Sequence, residues 1–199
     1  MIIGLLGKKG SGKDTIAKYF IEEYGFVRYA FGDKVKEVVK VLFDFTDQQL
    51  FTWMKEKKDL DWNITPRKAF QVVGTDFAQY FLPENMPELK EVLPNPTGFW
   101  VKHFMVWYQR QIRNNPNIKL VISDVRFMHE VEAIKKLGGY IWKVERNDSI
   151  YGVNDFHISE SGIEDIDNNL IDTVISNNST IDKLHQYLNN LSFMLRQEM

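Results

Sequence analysis

MIIGLLGKKGSGKDT, residues 1–15, passes without a break from an apolar run into a glycine-rich turn and the start of a helix. Gly7, Gly12 and Lys13 stand at the spacing G-x-x-x-x-G-K. Glycines let successive backbone N–H groups turn inward around an anion, and a helix beginning near Asp14 aims the positive end of its dipole at the same point. The Lys13 ammonium can follow a phosphate through a transfer step. A turn that merely joins a strand to a helix is the plainer reading. The position directly behind an apolar strand, with Thr15 just beyond, favours the phosphate site of a nucleotide-binding protein.

The motif departs from its usual form in one place. The residue after the lysine is ordinarily Ser or Thr, whose hydroxyl binds Mg²⁺. Here it is Asp14, and the hydroxyl comes one place later at Thr15. A carboxylate beside a triphosphate needs a cation between them, so Asp14 holds Mg²⁺ directly or through water. Alternatively it is a first-turn acid that complements the helix dipole. The sequence leaves both open.

A chain of 199 residues fits one domain, or one core with an inserted lid. The formal net charge of -2 argues against a general nucleic-acid binder. Cysteine is absent, which excludes a disulfide frame, a thiolate metal site and a cysteine nucleophile. The opening apolar run is too short and lacks the basic flank of a signal peptide. No later stretch approaches the length of a membrane span. The expectation is a soluble cytoplasmic protein with no membrane or nucleic-acid partner.

Strands and helices alternate along the chain. The pattern predicts strands at 2–6, 26–31, 119–124, 140–145 and 172–176, with helices at 14–24, 33–43, 99–113, 127–137 and 179–196. Val35, Val38, Val39 and Leu42 share one face of the second helix. Thr65-Pro66 opens a further helix that runs to about Phe81, with Thr65 as its N-cap. The stretch 46–64 reads as a helix and a loop, and 83–98, with Pro83, Pro87, Pro94 and Pro96, as a surface connection. Alternation of this kind implies an α/β fold: a mostly parallel five-stranded sheet covered by helices on both faces, its ligand at the carboxyl ends of the strands.

LVISDVR (120–126) carries the second chemical signal. Asp124 stands where a buried strand leaves the core, where a phosphate-loop enzyme needs an acid to organise Mg²⁺. Arg126 is close enough to reach a phosphate in the same cleft. Alone, D-x-R after a strand is a weak pattern; beside the phosphate loop it gains weight.

The succession GKKGSGKDT, YAFGDKVKE, TPRKAFQVVGTD, GFWVKHF, VISDVRFMHEVEAIKKLGGYIWKVER, HISESG and DTVISNNSTIDKLHQYL resembles the deoxynucleoside monophosphate kinases of phages and large DNA viruses. The resemblance runs from Ile3 to about Leu191. It implies a three-layer α/β/α P-loop kinase domain over 1–199, a helical substrate region at about 33–113 and a lid loop at about 146–160. It further implies a viral or phage origin, and transfer of phosphoryl from ATP to a dNMP with Mg²⁺ as cofactor. Carried over by position, Gly10, Gly12, Lys13, Asp14 and Thr15 would hold the ATP phosphates. Lys9, Arg67, Gly74, Thr75, Trp100 and Asp124 would face the dNMP. Gly10 and Gln79 stand where relatives carry arginine, so any contact from those side chains is lost here.

Several positions have a physical reading of their own. Arg67 and Gln71 lie four apart and can present a guanidinium and an amide on one helix face. A solvated surface arginine is the plainer reading of Arg67. Gly74, Thr75 and Asp76 permit close approach to a sugar or base, or simply end a helix. Trp100 stacks on a base, or is a core tryptophan in an aromatic stripe with Phe104 and Trp107. Arg146 is the candidate lid arginine, and Asn177 is placed for the adenine unless it is only a turn residue. His157 reads as a loop cap, and His103, His129 and His185 lack metal-ligand spacing. Exposed aromatics on the 99–113 helix would support a homodimer, although burial within the monomer gives the same pattern.

In the expected mechanism Lys13, Asp124 and Arg126 are the catalytic residues, with Mg²⁺ held by Asp124 and Asp14 or Thr15. Two alternatives stand beside it: another small-molecule kinase of phosphomevalonate-kinase type, and a non-catalytic nucleotide-binding regulatory module.

Overall fold

The computed structural model describes residues 1–147, 163 and 165–197. In chain order the elements are β1 (Ile2–Leu6), α1 (Lys13–Tyr24), β2 (Val27–Tyr29), α2 (Phe31–Phe43), α3 (Asp47–Phe51) and α4 (Pro66–Gln71). A π-helix (Val72–Phe81) follows, then α5 (Leu82–Asn85), α6 (Leu89–Val92) and α7 (Phe99–Asn114). The chain closes with β3 (Leu120–Val125), α8 (Met128–Lys136), β4 (Tyr140–Glu145), β5 (Thr173–Ser176) and α9 (Ile181–Gln197). Two compact units result: Met1–Tyr29 with Asn117–Met199, and the inserted Ala30–Pro116.

The first unit is the sheet. Its strand order is β2-β3-β1-β4-β5, and every neighbouring pair is parallel. IIGLL is buried throughout because β1 is the central strand and carries helices on both faces. On one face Ile3, Leu5, Val121, Trp142 and Val144 pack with Ile16 and Phe20 of α1 and Leu184 and Leu188 of α9. On the other, Gly4 lies so close to α8 that a Cβ there would come within 2.8 Å of Ile134 Cδ1. These are the three layers and five strands expected, with the sheet wholly rather than mostly parallel.

One irregularity bears on function. Gly4 pairs with Ile122 but Leu6 with Val125, so β3 carries one residue more than β1 across Ser123–Asp124. Such a bulge bends its strand and re-aims the side chains at the step.

The inserted unit is helical. Thr65 caps α4 as expected, its hydroxyl accepting the Lys68 N–H at 3.1 Å, with Pro66 in the first position. Beyond Gln71 the helix widens into the π-helix and then continues as α5, where a single regular helix was expected. The supposed surface connection 83–98 contains the end of α5 and all of α6. In α2 only Val35 and Val39 of the expected apolar face are buried; Val38 and Leu42 face solvent. The expected strand 26–31 stops at Tyr29, the last residue paired with β3, and Phe31 opens α2. No helix among the described residues is long and apolar enough to cross a membrane.

Candidate active site

The phosphate loop joins β1 to α1. Lys13, the first residue of α1, folds its ammonium back over the loop and donates to Gly7 O at 2.6 Å and Lys8 O at 2.8 Å. Gly12 has φ 105°, and a Cβ on it would run into the Asn177 amide. No side chain fits there, and the left-handed backbone is one that glycine adopts without strain. Asn177, expected near an adenine unless only a turn residue, donates its Nδ2 to Ser11 O at 2.9 Å and ties the end of β5 to the loop. Ser11 Oγ is buried with no hydrogen-bond partner among the described residues. An unpaired buried hydroxyl is costly unless a ligand oxygen satisfies it. The cramped glycines and the orphaned hydroxyl fit a nucleotide's phosphates. Lys9, Gly10 and Asp14 are exposed, and Thr15 is half-buried.

The end of β3 supplies the second group. Its burial pattern is buried at every position except Asp124, which the bulge leaves half-buried. The chain turns at Arg126 and Phe127 into α8, and the turn is closed by a residue the sequence reading passed over. Glu130 is buried, and its Oε2 accepts the backbone N–H groups of Arg126 at 2.8 Å and Phe127 at 3.1 Å. Burial pushes the Glu130 carboxyl up to about 8, the negative charge of Asp124 adds to the shift, and the two N–H groups and the Arg126 guanidinium oppose it. The available signal was glutamate at the third position of a helix, the acid half of a capping box.

No group of three His, Cys, Asp or Glu side chains able to hold a metal occurs among the described residues. Mg²⁺ does not need one, since it keeps several waters and takes much of its coordination from phosphate oxygens. One half-buried carboxylate, Asp124, with Asp14 or Thr15 on the first turn of α1, is a donor set that fits it.

The inserted unit holds the remaining candidates. Arg67 is ion-paired, Nε and Nη2 both donating to Glu56 Oε1 at 3.0 and 2.7 Å. The fork therefore already grips a carboxylate, with both side chains still partly exposed. Of the two readings of Trp100, its setting favours the core tryptophan. Its indole is buried, 8 % exposed, and its Nε1 donates to Gly74 O at 2.8 Å, which ties α7 to the π-helix. Gly74 in turn packs on Val35, where a Cβ would come within 3.2 Å of Cγ1. Gln71 and Gln79 are half-buried and Thr75 is exposed. Nor does α7 present exposed aromatics that would favour a homodimer. Trp100 and Phe104 are buried, Phe104 meets Phe31 with ring centroids 5.7 Å apart, and no large apolar side chain of α7 is exposed.

Arg146, directly after β4, is exposed. His157 and the rest of the expected lid from 148 to 160 lie outside the described residues. The other histidines make ring contacts: His185 stacks on Tyr19, His129 on Phe127, and His103 lies beside Trp100.

A family model described as "Deoxynucleotide monophosphate kinase" matches residues 1–63 and 41–188. A protein of Acanthamoeba polyphaga mimivirus, named "Putative deoxynucleotide monophosphate kinase", is 37% identical over 191 residues, covering 94% of each chain. The chain belongs to the deoxynucleotide monophosphate kinase family. The two matched segments together take in residues of both compact units, so membership in the deoxynucleotide monophosphate kinases does not rest on the phosphate loop alone. Among solved structures, TT1252 from Thermus thermophilus shares the fold, with a TM-score of 0.50 and 16% identity over 98% of this chain and 97% of that one. Dephospho-CoA kinase from Campylobacter jejuni aligns with a TM-score of 0.48 and 16% identity, over 100% and 98% of the two chains. A phosphate loop following the central strand of a parallel five-stranded sheet is the P-loop kinase arrangement.

Proposed function

We propose that this protein transfers the γ-phosphoryl group of ATP to the phosphate of a deoxynucleoside monophosphate, yielding the diphosphate and ADP. Family membership across both compact units carries the reading. An oxygen of the acceptor phosphate attacks Pγ in line as the bond from Pγ to the bridging β,γ-oxygen breaks, leaving ADP. Such transfer rests on positioning and charge stabilisation and needs no covalent intermediate.

Each residue has a role consistent with its setting. Lys13 exchanges the Gly7 and Lys8 carbonyls for β- and γ-phosphate oxygens, and the N–H groups around Gly10 and Gly12, with Ser11 Oγ, receive the rest. Asp124, with Asp14 or Thr15, would hold Mg²⁺, which when bound neutralises charge on the β- and γ-phosphates. Arg126, Lys9 and Arg146 neutralise the acceptor phosphate and the charge that develops during transfer. Arg67, Gln71, Gly74 and Thr75 receive the dNMP, Arg67 by giving up Glu56 for a phosphate of similar fork geometry. Trp100 serves this indirectly, through Gly74.

The test is ADP release with Mg·ATP against all four dNMPs and their ribose counterparts. Release with deoxy acceptors, lowered about 10²–10³-fold by Lys13→Ala, supports the reading. Release only with phosphomevalonate or another acceptor would replace the substrate. Tight ATP binding without transfer to any acceptor would leave a regulatory module.

A further inference from the structure

We infer that Glu130 is a positioning residue for phosphoryl transfer: its buried carboxyl fixes the turn that carries Arg126 and directly follows Asp124 and the end of β3. The inference rests on the proposed kinase reading and deepens it. Three observations converge. An extra residue in β3 breaks the regular pairing at Ser123–Asp124, so sheet hydrogen bonding alone does not fix the direction of Asp124. The strand ends directly after this step, and the next two N–H groups, of Arg126 and Phe127, are both received by Glu130 Oε2. Glu130 itself stands in the first turn of α8, and that helix packs against β1 through Ile134, so the accepting oxygen is anchored to the core.

A carboxyl buried to this extent is expensive, and a helix cap alone does not require it: exposed Ser, Thr or Asp would serve. What the buried position adds is rigidity at the step between the metal-organising acid and the phosphate-neutralising arginine. Groups that orient the residues around a reacting centre influence rate although they touch nothing that reacts. The phosphate loop has its own hydrogen bonds, from Lys13 and Asn177, and none runs through Glu130. Loss of Glu130 should therefore lower the rate of transfer and spare ATP binding.

The experiment compares the full-length wild type with Glu130→Ala and Glu130→Gln. The kcat and KM values come from ADP release, ATP affinity from calorimetric titration, and folding from circular dichroism. Folded E130A is expected to lose kcat by about ten- to a hundredfold with ATP affinity nearly unchanged. E130Q keeps an accepting oxygen at the same reach and should retain most of kcat. A mere helix cap would lower the melting temperature of E130A while leaving the turnover of folded enzyme alone. Wild-type kcat in folded E130A, or E130Q as impaired as E130A, overturns the inference. Should E130A not fold, Glu130→Asp replaces it; its shorter side chain should lower kcat in the same way, and an unchanged kcat overturns the inference. A wild type that phosphorylates no dNMP removes the kinase reading and this inference together. An active wild type with an equally active E130A removes the inference alone.

Discussion

A lysine that bonds two carbonyls of its own loop is held in place before any nucleotide arrives, and it must release both to take up phosphate. Lys13→Ala should accordingly cost about 10²–10³ in kcat, the range for removing one preorganised charge-stabilising donor, read by ADP release. Gly12 allows a second prediction. Alanine there meets both a left-handed backbone and the Asn177 amide, so Gly12→Ala should lose about 1–3 kcal/mol of stability in urea titration and most ATP affinity. Glu130 gives the pH dependence. Its carboxyl is raised from 4.5 to about 8 in the folded state, so the native protein binds the proton more tightly than the unfolded chain. That stabilisation is complete below about pH 4.5 and is lost as pH climbs through about 8. At roughly 1.4 kcal/mol per pKa unit the whole effect is a few kcal/mol. Denaturant titrations at pH 5 and pH 9 should show wild type losing stability relative to Glu130→Gln across that window. Residues legible in the sequence were those whose meaning lies in local spacing: Gly7, Gly12, Lys13, and Asp124 at a strand end. Glu130 and Asn177 take theirs from burial and from partners, in the case of Asn177 one that is 166 residues away.

Among the described elements, the π-helix departs from regular α geometry and is tied to a neighbouring helix. Its wider turn is rare and concentrates at functional sites. Here the Trp100 indole holds the Gly74 carbonyl, and Val35 packs closely on Gly74, where a Cβ would come within 3.2 Å of its Cγ1. Trp100→Phe keeps an aromatic ring but removes the donor. It should destabilise by about 0.5–1.5 kcal/mol through the lost buried hydrogen bond and raise KM for dNMP while leaving KM for ATP alone. Retained dNMP affinity would restore a direct role to the ring. The alternation of strands and helices, the Thr65 cap and the parallel sheet could all be read from apolar period and turn chemistry. The π-helix could not, because VVGTDFAQYF has a plain helical pattern that does not tell an i→i+5 ladder from an i→i+4 one. The bulge in β3 was equally hidden, since register is a property of two strands and the sequence displays one at a time.

For the molecule as a whole, ligand linkage supplies the broadest check. Mg·ATP at a hundred times its Kd should add about 2.7 kcal/mol to the stability of the folded protein, seen as a rise in melting temperature that Lys13→Ala abolishes. The division into two units left no compositional mark, because neither Tyr29–Ala30 nor Pro116–Asn117 is a glycine- or serine-rich linker. Only the family resemblance hinted at a separate region near 33–113. The placement of β1 at the centre of the sheet has a consequence for synthesis. Both of its neighbours are encoded more than about a hundred residues later, so β1 cannot take its place in the sheet until β3 and β4 have followed. The inserted unit, contiguous in sequence, can fold in the meantime. At ordinary elongation rates MIIGLL waits on the order of ten seconds as an unpaired apolar segment. Holding that segment soluble is a task for whatever meets the nascent chain, and the order of assembly departs from the order of translation.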